Sequence, residues 1–188
     1  MPITKEWFEN AKDSEVCEPN AMVLSTCGKN NRPSARVVLL KEVDKNGFVW
    51  FTNYDSKKGQ ELKENPYASL TFLWAELERS IRVEGVVERV TPEESDRYFF
   101  SRPRSSRLGA WSSNQSRKIA SRDDLETQER NVKKRFEDTS FIPRPEHWGG
   151  YRLTPTIMEF WKGRESRLHD RIVYTLSEGD VSVHRLQP

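Results

Sequence analysis

From residue 21 to residue 90 the chain repeats one pattern, a short apolar, β-branched or aromatic run followed by a turn signal. "AMVLSTC" (21–27), "SARVVLLKEV" (34–43), "FVWFTN" (48–53), "YASLTFLW" (67–74) and "RSIRVEGVVERV" (79–90) are each of strand length. "KNNRP" turns the chain between the first two, and "DKNG" (44–47) is a hairpin signal with Asn-Gly at its centre. Strand returns near the C-terminus in "GGYRLTPTIMEFWKG", "LHDRIVYTL" and "VSVHRL". Successive hairpin-linked strands predict a mainly β fold, an antiparallel barrel with helices inserted at its flanks.

The helices carry their own signals. "TKEWFENAKDSE" (4–15) is amphipathic, with Trp7, Phe8 and Ala11 on its apolar side. "DSKKGQELKENP" (55–66) has Asp55 or Ser56 as a cap and a proline stop. Thr91 stands three residues before Glu94, the spacing of a capping box, which predicts a helix over 91–103. "SSRLGAWSS" and the polar stretch 121–138 read as further helices. There is no repeat, low-complexity run or linker, so residues 1–188 read as one domain, long enough for a real core. Six Trp, five Tyr and nine Phe fill that core.

A net charge of only +2 gives no general attraction to nucleic acid, so any basic site must be local. Cys17 and Cys27 make neither a disulfide framework nor a zinc spacing. With no leader-type apolar segment and no window long enough to cross a membrane, the expectation is a cytoplasmic protein, or one in another reducing compartment. A fragment of a longer chain would read the same way.

Four local patterns carry candidate chemistry. In "DSKKG", Lys57 and Lys58 fall in the first turn of a helix, against the macrodipole preference; either they are solvated, or they hold a dianion with the free N–H groups. In "SRPRSSR" (101–107), three arginines and three serines sit at a helix junction broken by Pro103, an arrangement suited to a phosphate monoester or, as a basic loop, to RNA. "NQSRK" (114–118) offers amide, hydroxyl and cations together. In "SARVVLLK", Arg36 and Lys41 flank an apolar run that reads as buried, and a buried cation needs an anion. Five residues apart, the two face opposite ways unless a bulge intervenes or Lys41 lies beyond the ladder.

A fifth stretch, "RLHDR" (167–171), puts Arg167, His169 and Arg171 on one face if it is strand, with Leu168 and Asp170 on the other. His147, His169 and His184 have no ligand-spaced partners, so no metal is expected. Neither a nucleophile elbow nor a glycine-rich dinucleotide or Walker loop is present, so a phosphate must be held by side chains.

In order along the chain, "EPNAMVLST", "PSARVVLLK", "FTNYDSKKG", "RVEG", "YFFSRPRSSRLGAW", "QS", "HWGGYRL" and "EFWKGRESRLHDR" resemble the pyridoxamine 5'-phosphate oxidases. The likeness runs from about residue 18 to the C-terminus. It implies an FMN-binding split barrel, usually a homodimer with FMN at the subunit interface. The implied reaction oxidises pyridoxine 5'-phosphate or pyridoxamine 5'-phosphate to pyridoxal 5'-phosphate, with O2 reduced to hydrogen peroxide. It further implies FMN contacts from Arg36, Val37, Val38, Leu39, Leu40, Lys41, Phe51, Thr52, Lys57, Lys58, Ser80, Gln115, Ser116, Trp161 and Arg171. Lys41, Tyr98, Arg102 and Ser106 would grip the substrate phosphate, and Arg167, Leu168 and His169 would meet the substrate, with Arg167 and His169 catalytic.

The sequence departs from the family pattern at Ser80, where a flavin-contacting glutamine is usual, and at Lys57, where arginine is usual. It ends "RLQP" where "RLAP" is usual, and the family's N-terminal segment is mostly missing. These departures motivate a second reading, a flavin- or pyridoxal-phosphate-binding protein of the same fold without efficient turnover.

Overall fold

The computed structural model describes residues 2–177 and 179–188. Five α-helices and nine strands follow one another along them: α1 (Pro2–Lys12), β1 (Ala21–Cys27), β2 (Pro33–Leu39), β3 (Glu42–Asp44), β4 (Gly47–Asn53), α2 (Lys57–Glu64), β5 (Tyr67–Trp74), β6 (Arg79–Arg89), α3 (Pro92–Ser101), α4 (Arg104–Ser112), α5 (Arg122–Arg135), β7 (Trp148–Lys162), β8 (Asp170–Ser177) and β9 (Asp180–Arg185). Every pairing is antiparallel. The strand order is β2-β1-β5-β6-β7-β4-β3, with β8 on β7 and β9 on β8.

The 15-residue β7 organises the sheet. Its first half, Trp148–Leu153, pairs with β4, and its second half, Ile157–Lys162, pairs with β8. Strand β6 runs beside both halves, and its register shifts at Glu84/Gly85. A side chain on Gly85 would put its Cβ 2.0 Å from the Thr154 carbonyl oxygen, so the close approach there requires glycine.

The expected single strand over 34–43 is two strands. At its break, the Leu40 N–H donates to the Asn20 carbonyl and the Lys41 N–H donates to the Val49 carbonyl. Lys41 therefore lies beyond the β2 ladder, where the chain passes from the β1 side to the β4 side. The hairpin centre also differs by one residue. Its loop is Lys45–Asn46, because Asp44 Oδ1 accepts from the N–H groups of Asn46 and Gly47 and closes the turn early.

The barrel interior holds Met22, Leu24, Leu40, Phe48, Trp50, Leu70, Phe72, Trp74, Ile81, Val83, Leu153, Met158 and Phe160, and α1 adds Phe8 and Ala11. A second cluster of Phe99, Leu108, Phe136, Ile142 and Trp148 lies under the helices. The apolar run of β2 is not buried as its composition suggests. Val37 is 67% exposed, because β2 is an edge strand and turns alternate residues to solvent.

Candidate functional site

The α2 N-terminus is built around Ser56. Its hydroxyl accepts from the Gly59 N–H and donates to the Asn53 carbonyl, which fixes Lys57 and Lys58 as the first two helical residues. Lys57 extends into solvent, 3.7 Å from Glu61. Lys58 does the opposite, so the solvated reading fails for it. It is 7% exposed, and its Nζ donates to Gln115 Oε1 (2.7 Å), Thr52 Oγ1 (2.9 Å) and Ser56 Oγ (3.2 Å). Burial, aided by the nearby Arg36 charge, lowers its pKa to about 8. No carboxylate is among its hydrogen-bond partners in the described residues, so this is a buried cation held only by neutral oxygens.

Arg36 is the second cation here. Nη1 donates to Thr26 Oγ1 (2.6 Å) and the Leu24 carbonyl (3.1 Å), and Nη2 donates to Ser34 Oγ (2.5 Å) and Glu61 Oε2 (3.2 Å). The anion that a half-buried arginine needs is therefore Glu61, a residue the sequence reading passed over although it stands four after Lys57 on the same helix face. Burial raises the Glu61 carboxyl, but hydrogen bonds from Ser34 and Thr26 and the charges of Arg36 and Lys57 outweigh it and hold it below the usual carboxylate range. Arg36, Val37, Leu39, Phe51, Thr52, Lys57, Lys58, Gln115 and Ser116 line one cleft of about 520 Å³. Val38 also lines it while packing against the core, whereas Leu40 is buried in the core and does not line the cleft.

A second cavity of about 610 Å³ adjoins the first and shares Leu39, Phe51, Thr52 and Gln115 with it. Lys41, Tyr98, Arg102 and Ser106 line it together. The Thr91–Glu94 capping box starts α3, which brings Tyr98 to the cavity, and Pro103 ends that helix and starts α4, which brings Ser106. An aromatic wall closes one side: Phe51 stacks on Tyr98 at 3.9 Å and on Trp148 at 5.6 Å. The Arg102 guanidinium lies 4.6 Å from the Trp148 ring. Its Nη1 is buried with no hydrogen-bond partner among the described residues, and burial draws its pKa below the ordinary arginine value, against an opposing effect of Tyr98. A buried guanidinium N–H without an acceptor fits an anion, and the aromatic wall fits a flat ring beside it. Trp148 belongs to this wall and was missed in the sequence, although it stands in the "HWGGYRL" block.

The remaining expected residues lie elsewhere. Ser80 pairs with Trp161, and Trp161 pairs with Arg171, across β6, β7 and β8. Trp161 is eleven residues along β7 from Gly150, the partner of Phe51, which is roughly 36 Å of strand path. The structure thus brings Arg36, Lys41, Phe51, Thr52, Lys57, Lys58, Tyr98, Arg102, Ser106, Gln115 and Ser116 together around two joined cavities. Ser80, Trp161, Arg167, Leu168, His169 and Arg171 form a separate group.

The period-two reading of "RLHDR" fails for its first three residues. Glu165–Arg167 form a single tight turn, and β8 begins only at Asp170. Ser166 (φ 56°) and Arg167 (φ 61°) are both left-handed, which no strand residue can be. Leu168 is 69% exposed, and the His169 ring lies 4.7 Å from the Trp161 ring. Arg171 does lie on a strand, and its carboxylate partner within the chain is Glu159: Nε donates to Oε1 (2.7 Å) and Nη2 to Oε2 (3.1 Å), while Nη1 donates to the Gln187 carbonyl (3.1 Å). The Arg171 hydrogen bonds outweigh burial and, with Arg82 adding its charge, hold the Glu159 carboxyl below its ordinary range. The Ser80 hydroxyl donates to the Phe72 carbonyl (2.8 Å). Among the described residues no cluster of His, Cys, Asp and Glu is fit for a metal, and no helix is long and apolar enough to cross a membrane.

Comparison with known proteins bears on both halves. Residues 8–134 match the family model described as pyridoxamine 5'-phosphate oxidase. Residues 148–188 match that of the pyridoxine 5'-phosphate oxidase C-terminal dimerisation region. The chain is 56% identical to a protein of Paraburkholderia phytofirmans named pyridoxine/pyridoxamine 5'-phosphate oxidase, over 97% of this chain and 85% of that one. It is 57% identical to a protein of the same name from Herminiimonas arsenicoxydans, over 100% and 89%. The crystal structure of PhzG from Burkholderia lata, in complex with tetrahydrophenazine-1-carboxylic acid, superposes with a TM-score of 0.92 at 32% identity, covering 100% of this chain and 92% of that one. A pyridoxamine 5'-phosphate oxidase-related, FMN-binding protein of Nostoc punctiforme shares the fold, with a TM-score of 0.78 at 13% identity, covering 100% and 96%.

Proposed function

The chain belongs to the pyridoxamine 5'-phosphate oxidase family, and we propose that it is an FMN-dependent oxidase of pyridoxine 5'-phosphate and pyridoxamine 5'-phosphate, working as one domain and as a homodimer. One observation carries this reading: two cationic donor sets open onto adjoining cavities that share an apolar wall. Two phosphate-bearing ligands with stacked flat rings need two such sets. Arg36, Lys57, Lys58, Gln115 and Ser116 are the candidate FMN phosphate set, and Lys41, Tyr98, Arg102 and Ser106 the candidate substrate phosphate set.

When bound, FMN would supply the two-electron acceptor for the C4' hydride and pass the electrons to O2 to give hydrogen peroxide. The chain's own residues would bind and orient. Lys58, a buried cation without a carboxylate partner, favours a dianion at Thr52 and Gln115. Arg102 offers its unpartnered Nη1 to the substrate phosphate while its guanidinium lies against Trp148. Phosphate contacts remote from the reacting carbon convert binding energy into orientation. Arg167 and His169 would face the substrate ring, and Ser80, Trp161 and Arg171 the flavin. Because those residues sit far along β7 from the first set, the reading requires them to come from the partner subunit, in keeping with the match of residues 148–188 to a dimerisation region.

The test is the visible spectrum of the purified protein, followed by peroxide release on each phosphate ester. Release of FMN on denaturation, and peroxide formed with pyridoxine or pyridoxamine 5'-phosphate, are the expected results. Tight FMN with no peroxide from either ester would favour a binding protein without turnover. The likeness to PhzG supplies a third arm, a tricyclic carboxylic acid as substrate. The buried Arg102 donor beside Lys41 and Ser106 favours the phosphate monoesters over it.

A further inference from the structure

The turn between β7 and β8 is more tightly held than an exposed loop requires. Two consecutive non-glycine residues, Ser166 and Arg167, are left-handed, and such backbone persists only where its surroundings over-determine it. Five contacts do so. The Gly163 N–H donates to the Glu78 carbonyl (2.8 Å), and the Leu168 N–H donates to the Glu165 carbonyl (3.1 Å). Asp170 accepts from Arg164 Nε (2.7 Å) on one oxygen and from Arg185 Nη1 on the other, which ties the turn to β9. The Arg164 N–H donates to His169 Nδ1 (3.1 Å).

The last contact fixes a proton. A backbone amide only donates, so His169 Nδ1 must present its lone pair, and the ring proton sits on Nε2. Nε2 has no hydrogen-bond partner among the described residues. We propose that Asp170 is a positioning residue: by gripping Arg164 and Arg185 it holds a strained turn in which His169 is locked as the Nε2–H tautomer and serves the substrate as a hydrogen-bond donor, not as a base. This rests on the reading above that His169 meets substrate, but the tautomer itself does not.

The experiment therefore begins without substrate. Nitrogen-15 spectra of the imidazoles are recorded on the full chain as purified, and the His169 signals are identified by their loss in His169→Gln. The expected pattern is a pyridine-type Nδ1 and a pyrrole-type Nε2 for His169. In Asp170→Asn the two His169 signals should move toward a common averaged value. His147, whose Nε2 donates to the Ala110 carbonyl at 3.1 Å, should not change and serves as the internal control. Ser166→Gly, which relieves the left-handed strain without touching the ion pairs, should leave the pattern intact. With substrate, Asp170→Asn should lower kcat about tenfold while FMN affinity stays within about twofold, the mark of lost orientation. A pyrrole-type Nδ1 in the parent, or an unmoved His169 pattern in Asp170→Asn, overturns the proposal. A parent that releases no peroxide yet shows the tautomer and its loss would defeat the reaction assigned above and leave the clamp standing.

Discussion

Lys58 is where a single side chain sets the behaviour of the site. Burial lowers its pKa to about 8, so in the folded chain it is neutral above that pH, while the unfolded chain holds the proton to about the ordinary 10.5. The unfolded state then binds more protons between these values, and the contribution of Lys58 to stability rises with pH through that window; the charged form is a burden below it. A bound dianion reverses the preference by favouring the ammonium. Its own second ionisation lies near pH 6, so its charge is constant through the alkaline range. FMN affinity is therefore expected to be full below about pH 8 and to fall above it by up to about tenfold per pH unit, because binding must take up a proton. Flavin fluorescence titrations at constant salt, from about pH 7 to 9.5, check this against Lys58→Arg, which should flatten the slope. A pH-independent affinity in the parent would remove Lys58 from the phosphate set. Arg102 gives the matching prediction for the other cavity. Arg102→Ala should cost about 1.5–3 kcal/mol of binding for the phosphorylated substrate with FMN retained, read as a rise in KM with little change in flavin content.

At the scale of elements, α3 is the support on which Tyr98 and Arg102 stand, and its start is local chemistry. Thr91 accepts from the Glu94 N–H and Glu94 reaches back to the Thr91 N–H, both within four residues. Thr91→Ala should cost about 1 kcal/mol, a fall in Tm of roughly 2–4 °C for a chain of this size, with KM unchanged. Melts at one protein and FMN concentration measure it, and a KM that rose with the fall in Tm would mean the helix start also aims Arg102. The same locality explains what could be read from the sequence. The capping box, the Ser56 cap and the strand runs each depend on neighbours within a few residues, and each is present close to its expected bounds except the run over 34–43, which is split in two. Burial of Lys58 depends on Gln115, 57 residues away, and the anion at Arg36 is Glu61 on another element. Nothing in a seven-residue window encodes either. "RLHDR" failed for a different reason: alternation is a strand signal only where the backbone is extended, and Ser166 and Arg167 are not. Its expected site residues came only from the family resemblance, which carries residue identity without conformation.

For the whole molecule the decisive feature is that the candidate site is divided. One set surrounds the joined cavities near β2, β4, α2 and the α3–α4 junction, and the other lies at the far end of β7 and on β8. A two-fold dimer interface is isologous, so the proposed meeting of the first set of one subunit with the second set of its partner would occur twice. Two crippled chains should then complement each other. A chain carrying Arg36→Ala and Lys58→Ala lacks the first set, and a chain carrying Trp161→Ala and Arg171→Ala lacks the second. Each alone should bind FMN weakly. Mixed by co-expression, half of the dimers pair one chain of each kind, and such a dimer has one intact site and one doubly defective site. Random pairing therefore restores about a quarter of the parental FMN per chain, and an equal share of peroxide release. Tagging the two chains differently and isolating the mixed dimer should raise the yield to about one FMN per dimer. If both sets instead served one site within a chain, the mixed dimer would bind no more than its parents, however it was purified. Recovery of flavin in the mixed dimer would fix the division of the site between subunits, since no rearrangement within either defective chain can supply the residues it has lost.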